Sequence, residues 1–109
     1  MEFDDYQRRS RETAVYPGLG SGKLEYPALG LAGEAGEVCE KVKKILRGDA
    51  LEQDLSKEAL SLELGDVLWY LAAMCWELNI SLDDVARRNL EKLQGRRSRG
   101  TIKGSGDLR

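Results

Sequence analysis

Residues 63–78 read Glu63-Leu64-Gly65-Asp66-Val67-Leu68-Trp69-Tyr70-Leu71-Ala72-Ala73-Met74-Cys75-Trp76-Glu77-Leu78. From Val67 to Trp76 no residue is charged, so a helix made from this stretch is apolar on every side and has no face to give to water. Such a helix belongs at the centre of a bundle. Its ten-residue apolar run is too short for a bilayer crossing, which needs about 20 residues. The spacing therefore predicts a central, most buried helix at about 55–78, with other elements packed around it.

The elements on either side are also helical. Upstream, Pro27 suits a helix first turn, and apolar positions 28, 31, 32, 35, 38, 39, 42, 45 and 46 follow at helical period. Gly48 supplies a stop, with Lys43, Lys44 and Arg47 near the negative end of the helix dipole. A polar link, Asp49 to Asp54, joins this helix to the central one. Residues 3–15 predict a first helix with Phe3, Tyr6, Ala14 and Val15 on its apolar side, ended by Pro17-Gly18-Leu19-Gly20-Ser21-Gly22. Downstream, Ser81 and Asp84 form a capping-box-like start for a fourth helix over 82–94, with Leu82, Val85, Ala86, Leu90 and Leu93 inward. The expected fold is all-α, a four-helix bundle-like domain over residues 1–96 with an irregular, basic, glycine-rich arm over 97–109.

Composition removes whole classes of chemistry. The 109 residues contain no histidine and two cysteines, Cys39 and Cys75, without paired spacing. Histidine-based nucleophilic triads, the usual zinc sites and the helical Glu-x-x-His di-iron site are thereby excluded. A metal here must be a hard cation on carboxylates. Two cysteines in a short chain fit a reducing compartment, and residues 1–15 lack an apolar leader-like run, so a cytoplasmic location is expected. Both cysteines fall on apolar positions and are expected in the core. The net charge of −2 combines a surplus of +4 over residues 95–109 with −6 over the rest. That tail is a poor case for nucleic-acid binding, because the remaining chain is acidic and has no aromatic–basic surface.

The carboxylates are patterned. Glu34 and Glu37 on the second helix, and Glu63 and Asp66 on the third, are each spaced i, i+3, which puts two acids on one helix face. Packing the two faces together is costly without a cation, and Asp66 stands directly before the apolar run. Mg²⁺ or Mn²⁺ would neutralise such a cluster and leave positions open for water and phosphate oxygens. Solvated surface acids remain the alternative. Gly30, Gly33 and Gly36 recur within the second helix at a cost of roughly 1 kcal/mol each relative to alanine, so they make room either for a ligand or for a closely packed helix. Asn89, Lys92 and Arg96 share one side of the fourth helix and suit phosphates there, or else a backbone-bonded amide with two cations snorkelling to water. Trp69 and Tyr70, one turn beyond Asp66, are either core aromatics or a stacking surface for a base.

Glu34-Ala35-Gly36-Glu37, then Glu63-Leu64-Gly65-Asp66 after 25 intervening residues, then Asn89-Leu90-Glu91-Lys92, resembles the MazG-like nucleotide pyrophosphohydrolases over about residues 25–96. Gly33 stands where many members carry a further glutamate. The resemblance implies Mg²⁺-dependent hydrolysis of nucleoside triphosphates to monophosphates and pyrophosphate by a homo-oligomer, a dimer or tetramer. It implies Glu34, Glu37, Glu63 and Asp66 as metal ligands and Asn89 and Lys92 as phosphate contacts; Arg96 joins them by helix geometry. Glu37 is the carboxylate assigned to the attacking water. Hydrolysis of dUTP, dCTP or phosphoribosyl-ATP, as in relatives of the same superfamily, and a non-catalytic oligomerisation or adaptor module are the competing functions.

Overall fold

The computed structural model describes residues 1–48 and 57–109. Among them are four α-helices and no strand: α1 (Phe3–Ser10), α2 (Glu25–Arg47), α3 (Lys57–Glu77) and α4 (Leu82–Arg99), with a 3₁₀ turn at Arg11–Thr13 after α1. The polar link at 49–54 and the expected start of the third helix at 55 lie outside the described residues.

α2 and α3 form the main pair, and α1 crosses onto α3 and α4. The second half of α3 is the hub. Ala72 and Ala73 are fully buried and Cys75 nearly so. One small core joins Ala73 to Ala14 and Tyr16, with Trp69 against it. The other joins Ala72 and Cys75 to Leu82, flanked by Tyr6, Leu68, Leu71 and Val85. α3 is also long and apolar enough, by length and composition, to cross a membrane. Its Glu63, Asp66 and Glu77 nevertheless hold the polar positions described below.

Termini follow the expected chemistry with two corrections. Gly48 ends α2 in the left-handed conformation, φ 81°, its amide donating to the carbonyls of Lys44 and Ile45. Ser81 Oγ accepts from the Asp84 amide at 3.1 Å and so starts α4. The first helix is shorter than expected, because the chain tightens at Arg11 and becomes extended at Ala14 to reach the Pro17–Gly22 loop. The fourth is longer. It runs through Gly95 to Arg99 and stops at Gly100, φ 70°, so the arm begins at 100 rather than at 95–97.

Long-range hydrogen bonds lock α1 and the glycine loop. Gln7 Nε2 donates to the Ile80 carbonyl (2.9 Å), and Gln7 Oε1 accepts from the Leu82 amide (3.0 Å), which closes the α3–α4 turn. Asp4 Oδ1 accepts from Ser81 Oγ and from the Asp83 amide. Buried Glu77 accepts from the Tyr16 hydroxyl (2.6 Å) and from the amides of Gly20 (3.0 Å) and Gly22 (2.9 Å). Burial by itself would raise the Glu77 pKa, but these three donors together with the charge of Arg11 outweigh it and hold the carboxyl below its usual value.

A single copy is open. Its radius of gyration is 16.7 Å, against about 13 Å for a compact domain of this length. Several residues expected inside are exposed: Leu46, Leu90 and Leu93 on the helix faces read as inward, and Cys39. Leu29, Leu62 and Leu64 are likewise exposed on α2 and α3. The central helix is thus well covered in its second half, while Leu62 and Leu64 in its first half face outward.

Candidate metal centre

Where α2 passes the first half of α3, Glu34 from one meets Glu63 and Asp66 from the other. One carboxylate oxygen from each lies within 4.8 Å of the other two. Glu34 and Glu63 are half-buried and Asp66 is exposed. Burial first, and then the charges of Asp66, Glu63 and Glu37, push the Glu34 pKa above its usual value. Three hard oxygen donors from two helices, repelling one another at the edge of a core, could together hold a hard divalent cation.

Glu37 is not in this triad. Three residues turn a helix by about 300°, which leaves Glu37 some 60° around the axis from Glu34. It is exposed, and its charge still reaches Glu34. Lys41, seven residues after Glu34, returns to nearly the same face, and its Nζ stands 3.8 Å from Glu63 Oε1. Sequence reasoning passed over this cation; the i, i+7 spacing from Glu34 is the signal that finds it.

Beside the acids is a cavity of about 330 Å³ lined by Thr13, Glu34, Asp66, Trp69 and Tyr70. Trp69 therefore belongs both to the core and to the site wall. Its Nε1 donates to Thr13 Oγ1 at 3.0 Å, and the Arg11 guanidinium lies 5.2 Å from its ring centroid. Its ring meets those of Tyr16 and Tyr70 edge-on, with centroids 6.1 and 5.1 Å away. Tyr70 in turn sits against Gly30, where a Cβ would clash with the ring at Cε1. Close packing thus accounts for Gly30, whereas Gly33, Gly36 and Gly65 face open space. A larger cavity, about 670 Å³, lies between α1, the glycine loop and the α3–α4 turn. Asp4, Gln7 and Glu77 in its wall already bond the protein itself, so they offer a ligand little.

The α4 residues are elsewhere. Among the described residues none from α4 lines the acidic cavity. Asn89 is exposed, and Lys92 and Arg96 both pair with Asp107 of the C-terminal arm. The structure therefore assembles three of the four expected metal ligands and leaves the expected phosphate contacts apart from them within one copy.

Comparison with known proteins agrees with the architecture. The chain is 47% identical, over the full length of both proteins, to the "Gene 37 protein" of Mycobacterium phage L5. No solved structure matches it. The profile of the MazG nucleotide pyrophosphohydrolase domain matches residues 24–100, which spans α2, α3, α4 and the acidic triad. This chain therefore belongs to the MazG nucleotide pyrophosphohydrolase family.

Proposed function

We propose that the protein is a Mg²⁺-dependent nucleoside triphosphate pyrophosphohydrolase, converting an NTP or dNTP to the monophosphate and pyrophosphate. The observation that carries this reading is the Glu34–Glu63–Asp66 triad beside the cavity walled by Trp69 and Tyr70. In the reaction, water attacks the α-phosphorus and the bond from that phosphorus to the oxygen bridging to the β-phosphorus breaks. Mg²⁺, or Mn²⁺, held by the triad would offset charge on the phosphate oxygens. Glu37 stands outside the triad and is exposed, so its carboxylate is free to orient the attacking water and take its proton. Trp69 and Tyr70 exclude bulk water from one side of the cavity. Lys41 balances the acid excess at Glu63.

Asn89, Lys92 and Arg96 bind the substrate phosphates in this reading. Since they lie apart from the triad in one copy, they meet the phosphates across a subunit boundary of a homo-oligomer. The exposed leucines at 29, 46, 62 and 64 give that assembly apolar surface to bury. Two free cysteines accord with a cytoplasmic setting.

The test is a panel of NTPs and dNTPs with Mg²⁺, reading monophosphate and pyrophosphate together. Monophosphate with pyrophosphate supports the reading; diphosphate with orthophosphate contradicts it. Glu37→Gln and Asp66→Asn should abolish turnover while helical circular dichroism persists. Pyrophosphate release at the wild-type rate by both variants would overturn it.

A further inference from the structure

The arm that follows α4 folds back along it, held largely by arginines. Arg99 Nη2 donates to the Arg109 carbonyl oxygen (2.9 Å). The Arg109 side chain donates to the carbonyls of Thr101 (3.0 Å), Ile102 (3.1 Å) and Gly106 (2.7 Å). Arg96 Nη2 reaches the Asp107 carbonyl at 3.1 Å and Asp107 Oδ1 at 3.3 Å, and Lys92 Nζ stands 3.5 Å from the same Oδ1. One carboxylate oxygen is thus bracketed by two cations spaced i, i+4 on α4.

The two sides of this contact differ in how firmly they are placed. The Arg96 side chain is only 5% exposed, and its Nε is buried without a hydrogen-bond partner. The Asp107 side chain is 86% exposed and follows glycines 100, 104 and 106, all at positive φ. A buried donor without a partner costs stability, so this pairing is not the one that satisfies the guanidinium best. Here the cations belong to the helix, one buried donor is left over, and the acid that faces them is on the surface.

We propose that Asp107 occupies an anion subsite formed by Lys92 and Arg96, and that residues 100–109 are a latch which a phosphate group of the substrate displaces. This rests on the reading that Lys92 and Arg96 bind the substrate's phosphates. A triphosphate brings more charge and more acceptor oxygens than one carboxylate, and a guanidinium binds phosphate in a two-pronged fashion that the arm leaves unmade. The arm therefore costs affinity, and it keeps the two cations paired until a polyphosphate arrives.

The experiment uses the full-length chain as wild type, Asp107→Asn and Asp107→Ser. Calorimetry with inorganic tripolyphosphate, without divalent cation, gives Kd. Steady-state kinetics with the best nucleotide gives KM and kcat. Amide exchange over residues 101–109 reports the arm. Removing the exposed acid of these pairs should lower Kd and KM about two- to fivefold with kcat unchanged or raised. Tripolyphosphate should speed exchange in the wild-type arm, and Lys92→Ala should weaken tripolyphosphate binding with or without Asp107. Unchanged or raised Kd and KM in both Asp107 variants, or an arm indifferent to tripolyphosphate, would overturn the latch. If the wild type hydrolyses nucleotides and the Asp107 variants keep its KM, the latch fails and the enzymatic reading stands. If tripolyphosphate binds and moves the arm but no nucleotide is hydrolysed, the enzymatic reading fails and the latch stands.

Discussion

The Tyr70 ring rests against α2 at Gly30, the position where α2 offers no side chain to keep it away. Glycine thereby sets one wall of the acidic cavity, since Tyr70 lines that cavity with Glu34 and Asp66.

Gly30→Ala should displace the ring and destabilise the fold by about 1–3 kcal/mol, the usual cost of overpacking. Gly33→Ala, which meets open space, should do the opposite. Its gain of roughly 1 kcal/mol in helix propensity corresponds to a rise of about 4–8 °C in Tm. Thermal melts of the two variants side by side check the pair.

Divalent cation should raise Tm with the logarithm of its concentration above Kd, by about 2.7 kcal/mol of stability at a hundredfold excess over Kd. Asp66→Asn and Glu63→Gln should lose that increment. Glu34→Gln should also lose it, yet without metal it should melt higher than wild type, because it removes one of three mutually repelling charges. An unchanged metal response in all three variants would remove the triad as the binding site.

Glu77 gives the fold a dependence on acid pH. Its folded pKa is below the ordinary 4.5, so the stability it contributes is complete above that value and is lost as pH falls through the folded pKa. Glu77→Gln should cost about 2 kcal/mol at pH 7, since the Tyr16 hydroxyl and two loop amides lose a charged acceptor. The gap in Tm between variant and wild type should narrow as pH is lowered from 7 toward 3.

Thr13→Val removes the acceptor of the Trp69 indole N–H at the cavity rim. A loss of about 1 kcal/mol is expected, with a change in tryptophan emission. Nucleotide added with Mg²⁺ should alter the same emission in the wild type.

What could be read in advance was what depends on local spacing. The apolar run 67–76, the Gly48 stop, the Ser81 cap and the i, i+3 spacing within each acidic pair depend on residues within a turn or two of one another, whereas the meeting of Glu34 with Glu63 and Asp66 depends on α2 packing against α3. Gly95 has the residue type of a helix stop, yet α4 continues through it and Gly100 takes the left-handed position, so the expected end at 94 falls short. The outward leucines on α2 and α4 carry the period of a core face; periodicity reports which face is apolar and not what covers it. Glu77 could not be assigned from the chain alone. Its donors lie 55 to 61 residues away, and nothing near it in sequence marks it as buried.

The two hydrogen bonds of Gln7 span 73 and 75 residues. During synthesis α1 is made first, but both partners of Gln7 are missing until Ile80 and Leu82 have left the ribosome. The N-terminal helix is therefore locked only after about three-quarters of the chain has been made. A ribosome stalled before residue 80 should carry a nascent chain whose N-terminal segment is still open to protease, and one stalled after α4 has fully emerged should not.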